Sequence, residues 1–149
     1  MTSLADYGDV FRAAYAALHG GHADEPDTAT RKPGESLEEF LARTRTEALG
    51  RVQRHLDAVE PPPELRRVHE LLRQLLDGAC EADTALASQV EAYRCGQFSD
   101  SIAHSDRLQT LVAASARLDR ELIVALRELE AGRPGTLEAL GLSDIVSPP

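Results

Sequence analysis

Apolar residues recur along this chain at gaps of three and four. The longest stripe runs through Leu65, Val68, Leu72, Leu75, Ala79, Ala82, Leu86, Val90 and Tyr93. That spacing places side chains on one face of an α-helix. It predicts a helix from Glu64 to about Arg94, entered through Pro61, Pro62 and Pro63 and ended at Gly96. Proline is tolerated in a first turn because its missing N–H would have no intrahelical partner. A helix of that length spans about 50 Å and is not stable alone, so its stripe must be buried against other helices.

Two further stripes supply those partners. Leu37, Phe40, Leu41, Thr44, Ala48, Val52, Leu56 and Val59 predict a helix from Leu37 to Glu60. Ser36 and Glu39 form a capping box at its start. Gly50 inside it costs about 1 kcal/mol relative to Ala, and implies a close helix approach or a slight bend. Ile102, Ser105, Leu108, Leu111, Val112, Ser115, Leu118, Leu122, Leu126 and Leu129 predict a helix from Ser101 to Ala131. Ser99 or Asp100 is its expected cap, after a polar turn at 97–100, and Gly132 and Pro134 end it.

A shorter helix precedes these three. Ser3 caps it, and Leu4, Tyr7, Phe11, Ala14, Tyr15 and Leu18 line one face, which either closes the bundle core or, as a detachable arm, docks on a partner subunit. The text between it and Ser36 is rich in glycine, proline and threonine, with no periodicity, which reads as a flexible linker. Thr136 to Leu140 reads as a short helical turn between Gly135 and Gly141. The expected organisation is an N-terminal helix at 1–18, a linker at 19–35, a bundle core at 36–142 and a frayed tail at 143–149. The fold class is all-α: an antiparallel, up-down bundle of three long helices, a shorter N-terminal helix and a short C-terminal helical turn.

Two geometric consequences follow. Folding the last two long helices about Gln97 sets Ala79, Cys80, Ala82, Ala85 and Ala87 near the run Ala113, Ala114, Ser115 and Ala116. Small residues facing small residues let helices approach closely. The first helix spans only about 22 Å, too short to cover the fourth side of the long bundle, so part of the Leu stripe stays open unless the tail after Gly132 covers it.

Composition narrows the function classes. Aromatic residues are 4% of the chain, so the core is built from Leu, Ala and Val. Asp and Glu outnumber Lys and Arg by 25 to 16, for a formal charge of -9. That balance disfavours general nucleic-acid binding and anionic membranes, both of which need clustered cations. The first residues do not read as a secretory leader, and no run approaches the roughly 20 apolar residues of a membrane span. A cytoplasmic location is expected. Cys80 and Cys95 lie about 22 Å apart along one predicted helix, which forbids a bridge between them.

Candidate chemistry is sparse. Folding the second and third helices about Pro62 sets His55 opposite His69, with Glu121 and Glu128 on the fourth helix in reach. Two imidazoles and a carboxylate can hold a transition metal. The Glu-x-x-His pattern of four-helix di-iron sites is absent. His19 and His22 form a second, weaker pair in the linker. His104, one turn after Asp100, has the makings of a general base, but no nucleophile or oxyanion donors accompany it. No phosphate-cradling loop, HExxH or CxxC occurs. The pattern points away from an enzyme and implies no cofactor. It favours a non-enzymatic interaction or scaffold module that associates with itself as a homodimer or with another protein. Tyr7, Phe11, Tyr15 and Leu18 are the candidate interface residues. The alternative is a metal-binding four-helix protein using His55, His69, Glu121 and Glu128.

Overall fold

A computed structural model describes residues 2–19 and 31–146. Among these residues the fold is all helix: α1 (Leu4–Leu18), α2 (Leu37–Ala58), α3 (Arg66–Arg94), α4 (Phe98–Gly132), α5 (Thr136–Leu140) and α6 (Ser143–Val146). A single 3-10 turn, Pro63–Leu65, leads into α3. The three long helices α2, α3 and α4 run antiparallel in sequence order. Most of the predicted linker, 20–30, lies outside the described residues, and His22 with it.

The start signals act locally. The Ser3 side chain accepts from the Asp6 N–H at 3.1 Å. Ser36 accepts from the Glu39 N–H, and the Glu39 carboxylate accepts from the Ser36 N–H, both at 3.1 Å. Each satisfies donors that the first turn leaves unpaired. Just ahead of α2, Glu35 is gripped by Arg43 through two contacts of 3.0 Å. The guanidinium holds the Glu35 carboxyl down at about 2.

The turn from α3 to α4 is tighter than the sequence suggests. Gly96 adopts a φ of 73°, which a side chain would disfavour. Its N–H bonds back to the Tyr93 carbonyl and that of Gln97 to the Ala92 carbonyl, at 3.1 and 2.8 Å. This is the Schellman arrangement, which closes α3 and reverses the chain at once. Helix α4 therefore begins at Phe98, three residues before the expected start. Neither Ser99 nor Asp100 caps it; the residue at the cap position is Gln97, with no side-chain bond. Ser101 instead turns inward and donates to the Gln89 carbonyl at 3.3 Å.

The core gathers at one end of the long helices. Tyr7, Phe11, Leu49, Leu56, Leu65, Leu72, Leu76, Leu122, Leu126 and Leu142 are essentially inaccessible. They come from α1, the second half of α2, the first half of α3, the second half of α4 and the segment around α5. Leu49 belongs to this core although it lies off the predicted α2 stripe, while Leu37 and Leu41 at the other end of that stripe are exposed. Gly50 makes no close helix approach, since a Cβ there would meet only the Arg54 side chain at 3.5 Å. The close approach occurs at Gly8, where a Cβ would sit 2.0 Å from the Leu140 carbonyl oxygen. Backbone packs on backbone between α1 and α5. The expected small-residue seam between α3 and α4 is only partly realised: Ala85 is buried and Gly78, outside the expected set, faces Ser115, while Ala87, Ala113 and Ala116 are exposed.

Beyond α4 the chain folds back rather than ending. Glu130 accepts from the N–H groups of Gly135 and Leu137 at 2.9 and 3.0 Å, tying α5 to α4. These N–H donors favour the charged carboxylate and lower its pKa. Structure then continues past the expected limit at Leu142. Helix α6 packs Ile145 and Val146 partly buried against the core, because Leu142 is itself inaccessible and delivers them to it. Residues 147–149 lie outside the described part.

Candidate functional site

The long stripe on α3 divides in two. Leu65, Val68, Leu72 and Leu75 are buried where α1 and α2 pack against α3. Farther along the same stripe Leu86, Val90 and Tyr93 are exposed, Tyr93 by 67%. One hydrophobic face is thus covered at the base and bare toward the tip. Across the turn, α4 adds Phe98 and Ile102, exposed by 58% and 63%. Tyr93 and Phe98 meet edge to face, with ring centroids 5.6 Å apart. The distal part of the α3–α4 hairpin therefore carries an apolar strip that the neighbouring α2, which reaches Asp83 through Arg45, leaves exposed.

The reason lies in α1. Its polar ties to the long helices fall in the basal half: the Tyr7 hydroxyl is 3.1 Å from His69 Nδ1 on α3, and His19 reaches Asp119 on α4 at 4.0 Å. A helix of 15 residues has no length left for the tip. The flank of the bare face toward α2 is charged but balanced, with Arg45 of α2 paired to Asp83 at 3.3 Å. Arg107 and Glu81, paired at 2.9 Å, lie on the opposite side of the hairpin, about two and a half helical turns from Phe98 and Val90. Such partly exposed pairs add little stability.

The expected interface on α1 is placed differently. Tyr7 and Phe11 are fully buried in the chain's own core, and Tyr15 and Leu18 are partly buried against it. Phe11 stacks on Tyr15 at 5.9 Å, and Tyr15 meets the His19 ring at 4.3 Å. The rings hold α1 down on the bundle.

The structure does not bring His55, His69, Glu121 and Glu128 together. Gln53 of α2 hydrogen-bonds Asp77 of α3, and Asp57 pairs with Arg73 at 3.0 Å. Position 55 is therefore level with position 75, six residues beyond His69 and about 9 Å farther along α3. The cause is the connection. Val59 and Pro62 are extended, with ψ of 129° and 149°. The chain thus travels past the end of α2 before α3 turns back, instead of folding at Pro62. His55 is exposed. His69 is half-buried, and burial, with Arg73 next in importance, lowers its pKa. The neutral ring accepts the Tyr7 hydroxyl at Nδ1 when its own hydrogen sits on Nε2. Glu121 lies near Arg67 and Arg117, at 3.9 and 4.0 Å. Glu128 lines the same shallow depression on the α3–α4 seam. Among the described residues no three His, Cys, Asp or Glu side chains gather closely enough to hold a metal ion.

Neither cysteine is primed for chemistry. Burial pushes the Cys80 thiol up, and the Glu91 carboxylate, 3.5 Å from Cys95, does the same there. A nucleophilic thiol needs the opposite environment. Asp100 stands exposed in the first turn of α4.

No protein-family model matches the chain, and it matches neither a curated protein nor a solved structure. Among the described residues no helix is long and apolar enough to cross a membrane. The residue that sequence reasoning missed is Phe98, assigned to a polar turn. Its four-residue spacing to Ile102 was the available signal.

Proposed function

We propose that this chain is a non-enzymatic helical interaction or scaffold module that acts in the cytoplasm and pairs with itself. The observation that carries the reading is the bare distal face of the α3–α4 hairpin, where Leu86, Val90, Tyr93, Phe98 and Ile102 stand exposed on two antiparallel helices. A contiguous apolar patch of this kind on a small protein marks a protein partner site. The hairpin is read as a short antiparallel coiled coil that lacks its facing layer. A second copy is the simplest partner, because a twofold axis lets one patch serve both chains.

The formal charge of -9 opposes pairing weakly and argues against nucleic acid or an anionic membrane as the partner. Added salt screens that repulsion, so the association tightens between low and moderate ionic strength. The metal-binding alternative has no comparable support, since its four candidate ligands are spread over separate parts of the bundle. Multi-angle light scattering at micromolar concentration tests the reading. The expected mass is about twice the 16.2 kDa of the chain. A strict monomer at all concentrations, without binding of a hydrophobic dye, refutes it.

A further inference from the structure

We infer that two copies pair antiparallel, each hairpin laid along the bare face of the other, so that four helices close a bundle with the two basal cores at opposite ends. This rests on the self-association reading above and adds the arrangement to it.

The first ground is the step along α3. The stripe is covered as far as Leu75 and Leu76 and bare from Leu86 onward. The elements that cover it at the base stand proud of the bare face on that side of α3. In a parallel pair, tip beside tip, both raised bases would meet at the same height and hold the hairpins apart. An antiparallel pair sets each base beyond the end of the other hairpin.

The second ground is length. From Ala82 to the turn at Gly96 the face runs about 21 Å. With the twofold axis near Val90, the tip of one copy reaches the level of residue 84 of the other, short of the covered stripe. Tyr93 of each copy then falls beside Leu86 of its partner.

The third ground is area. Leu86, Val90, Tyr93, Phe98 and Ile102 together expose roughly 600 Å², on side-chain areas of about 150 to 250 Å². Two such faces bury roughly 1,200 Å², the lower bound for a specific, stable interface. By continuation of the α2–α3 register, Leu37 and Leu41 lie at the same end, exposed by 56% and 51%. Tyr93 and Phe98, large rings already in contact, are the side chains best suited to carry the binding energy. The flanking pair Arg45–Asp83 is neutralised within each copy, which limits repulsion across the interface.

The test uses the full chain with Cys80→Ser and Cys95→Ser as background. Sedimentation equilibrium is run on this protein and on Phe98→Glu and Val90→Glu; both residues are exposed, and circular dichroism checks that each variant keeps its helix. The expected result is a dimer in the background protein and association at least tenfold weaker in each variant. For the arrangement, a Leu86→Cys chain is mixed with a Tyr93→Cys chain and oxidised. A cross-linked heterodimer is expected, and Tyr93→Cys alone should not cross-link. A background protein that is monomeric throughout overturns self-association itself. A dimer indifferent to both Glu substitutions leaves self-association standing and overturns this surface. Efficient cross-linking of Tyr93→Cys to itself overturns the antiparallel arrangement in favour of a parallel one.

Discussion

Gly8→Ala separates two forces that oppose each other at one site. Gly8 lies inside α1, where helix propensity alone favours alanine by about 1 kcal/mol. The tertiary contact says the reverse. A Cβ on Gly8 would lie 2.0 Å from the Leu140 carbonyl oxygen, 2.7 Å from its carbon and 3.0 Å from its Cα. All three are backbone atoms that cannot rotate aside. Ordinary carbon–oxygen contact begins at about 3.3 Å, so α1 must retreat from α5 by more than about 1 Å. Gaps of 0.5 to 1 Å forfeit roughly a quarter to a half of the dispersion well depth, here for the neighbouring Tyr7 and Phe11 contacts. Overpacking of this kind costs about 1 to 3 kcal/mol, enough to cancel or exceed the propensity gain. For a chain of this size 1 kcal/mol shifts the melting temperature by roughly 2 to 4 °C. The control is Gly50→Ala in α2, where a Cβ meets only a flexible Arg54 nitrogen at 3.5 Å. There propensity acts alone and should raise the melting temperature by up to about 4 °C. Thermal melts followed at 222 nm should therefore fall for Gly8→Ala and rise for Gly50→Ala. If Gly8→Ala melts above the parent, as Gly50→Ala should, the close packing of α1 on α5 is refuted.

Other perturbations probe other joints. Leu72→Ala and Leu126→Ala remove inaccessible core side chains and should each cost about 2 to 5 kcal/mol in urea unfolding; a loss under 1 kcal/mol would show the basal core to be loosely packed. His69 has a folded pKa lowered below its usual 6.5, so the unfolded chain binds the proton first. Its contribution is complete above about pH 6.5 and is lost as the pH falls through the folded value; His69→Gln should flatten that slope in urea titrations between pH 7 and 5. For Glu130, whose carboxyl is held low by the Gly135 and Leu137 N–H groups, stability is likewise present above its unfolded pKa and lost toward acid. Glu130→Ala should raise amide hydrogen exchange across α5 at neutral pH, and unchanged exchange there would dismiss the tie.

Local signals in the chain were sufficient for most of what depends on neighbours in sequence, the exceptions being the start of α4 at Phe98 and the short helix α6. The three-and-four spacing, Ser3, the Ser36–Glu39 box and Gly96 set which segments are helical and where most of them stop, because capping and periodicity act within one or two turns. The inability of a 15-residue α1 to cover the long helices was legible from lengths alone. Register was not. His55 and His69 fail to meet because Val59 and Pro62 run extended past the end of α2; the extended bias of Pro62 before Pro63 is local, but how far the detour shifts α3 against α2 is seen only once the two helices have packed. Nor did the text distinguish the glycine that permits a close approach from the one that only weakens a helix: Gly8 and Gly50 both sit inside a helical pattern, and only the arrival of Leu140 from far along the chain separates them. The same holds for the aromatics. Tyr7 and Phe11 suited either the core or a partner, and they close the core, while Tyr93 and Phe98 stand in the open. Periodicity tells which side chains share a face; which part of that face water keeps is settled only when the other helices have taken their places.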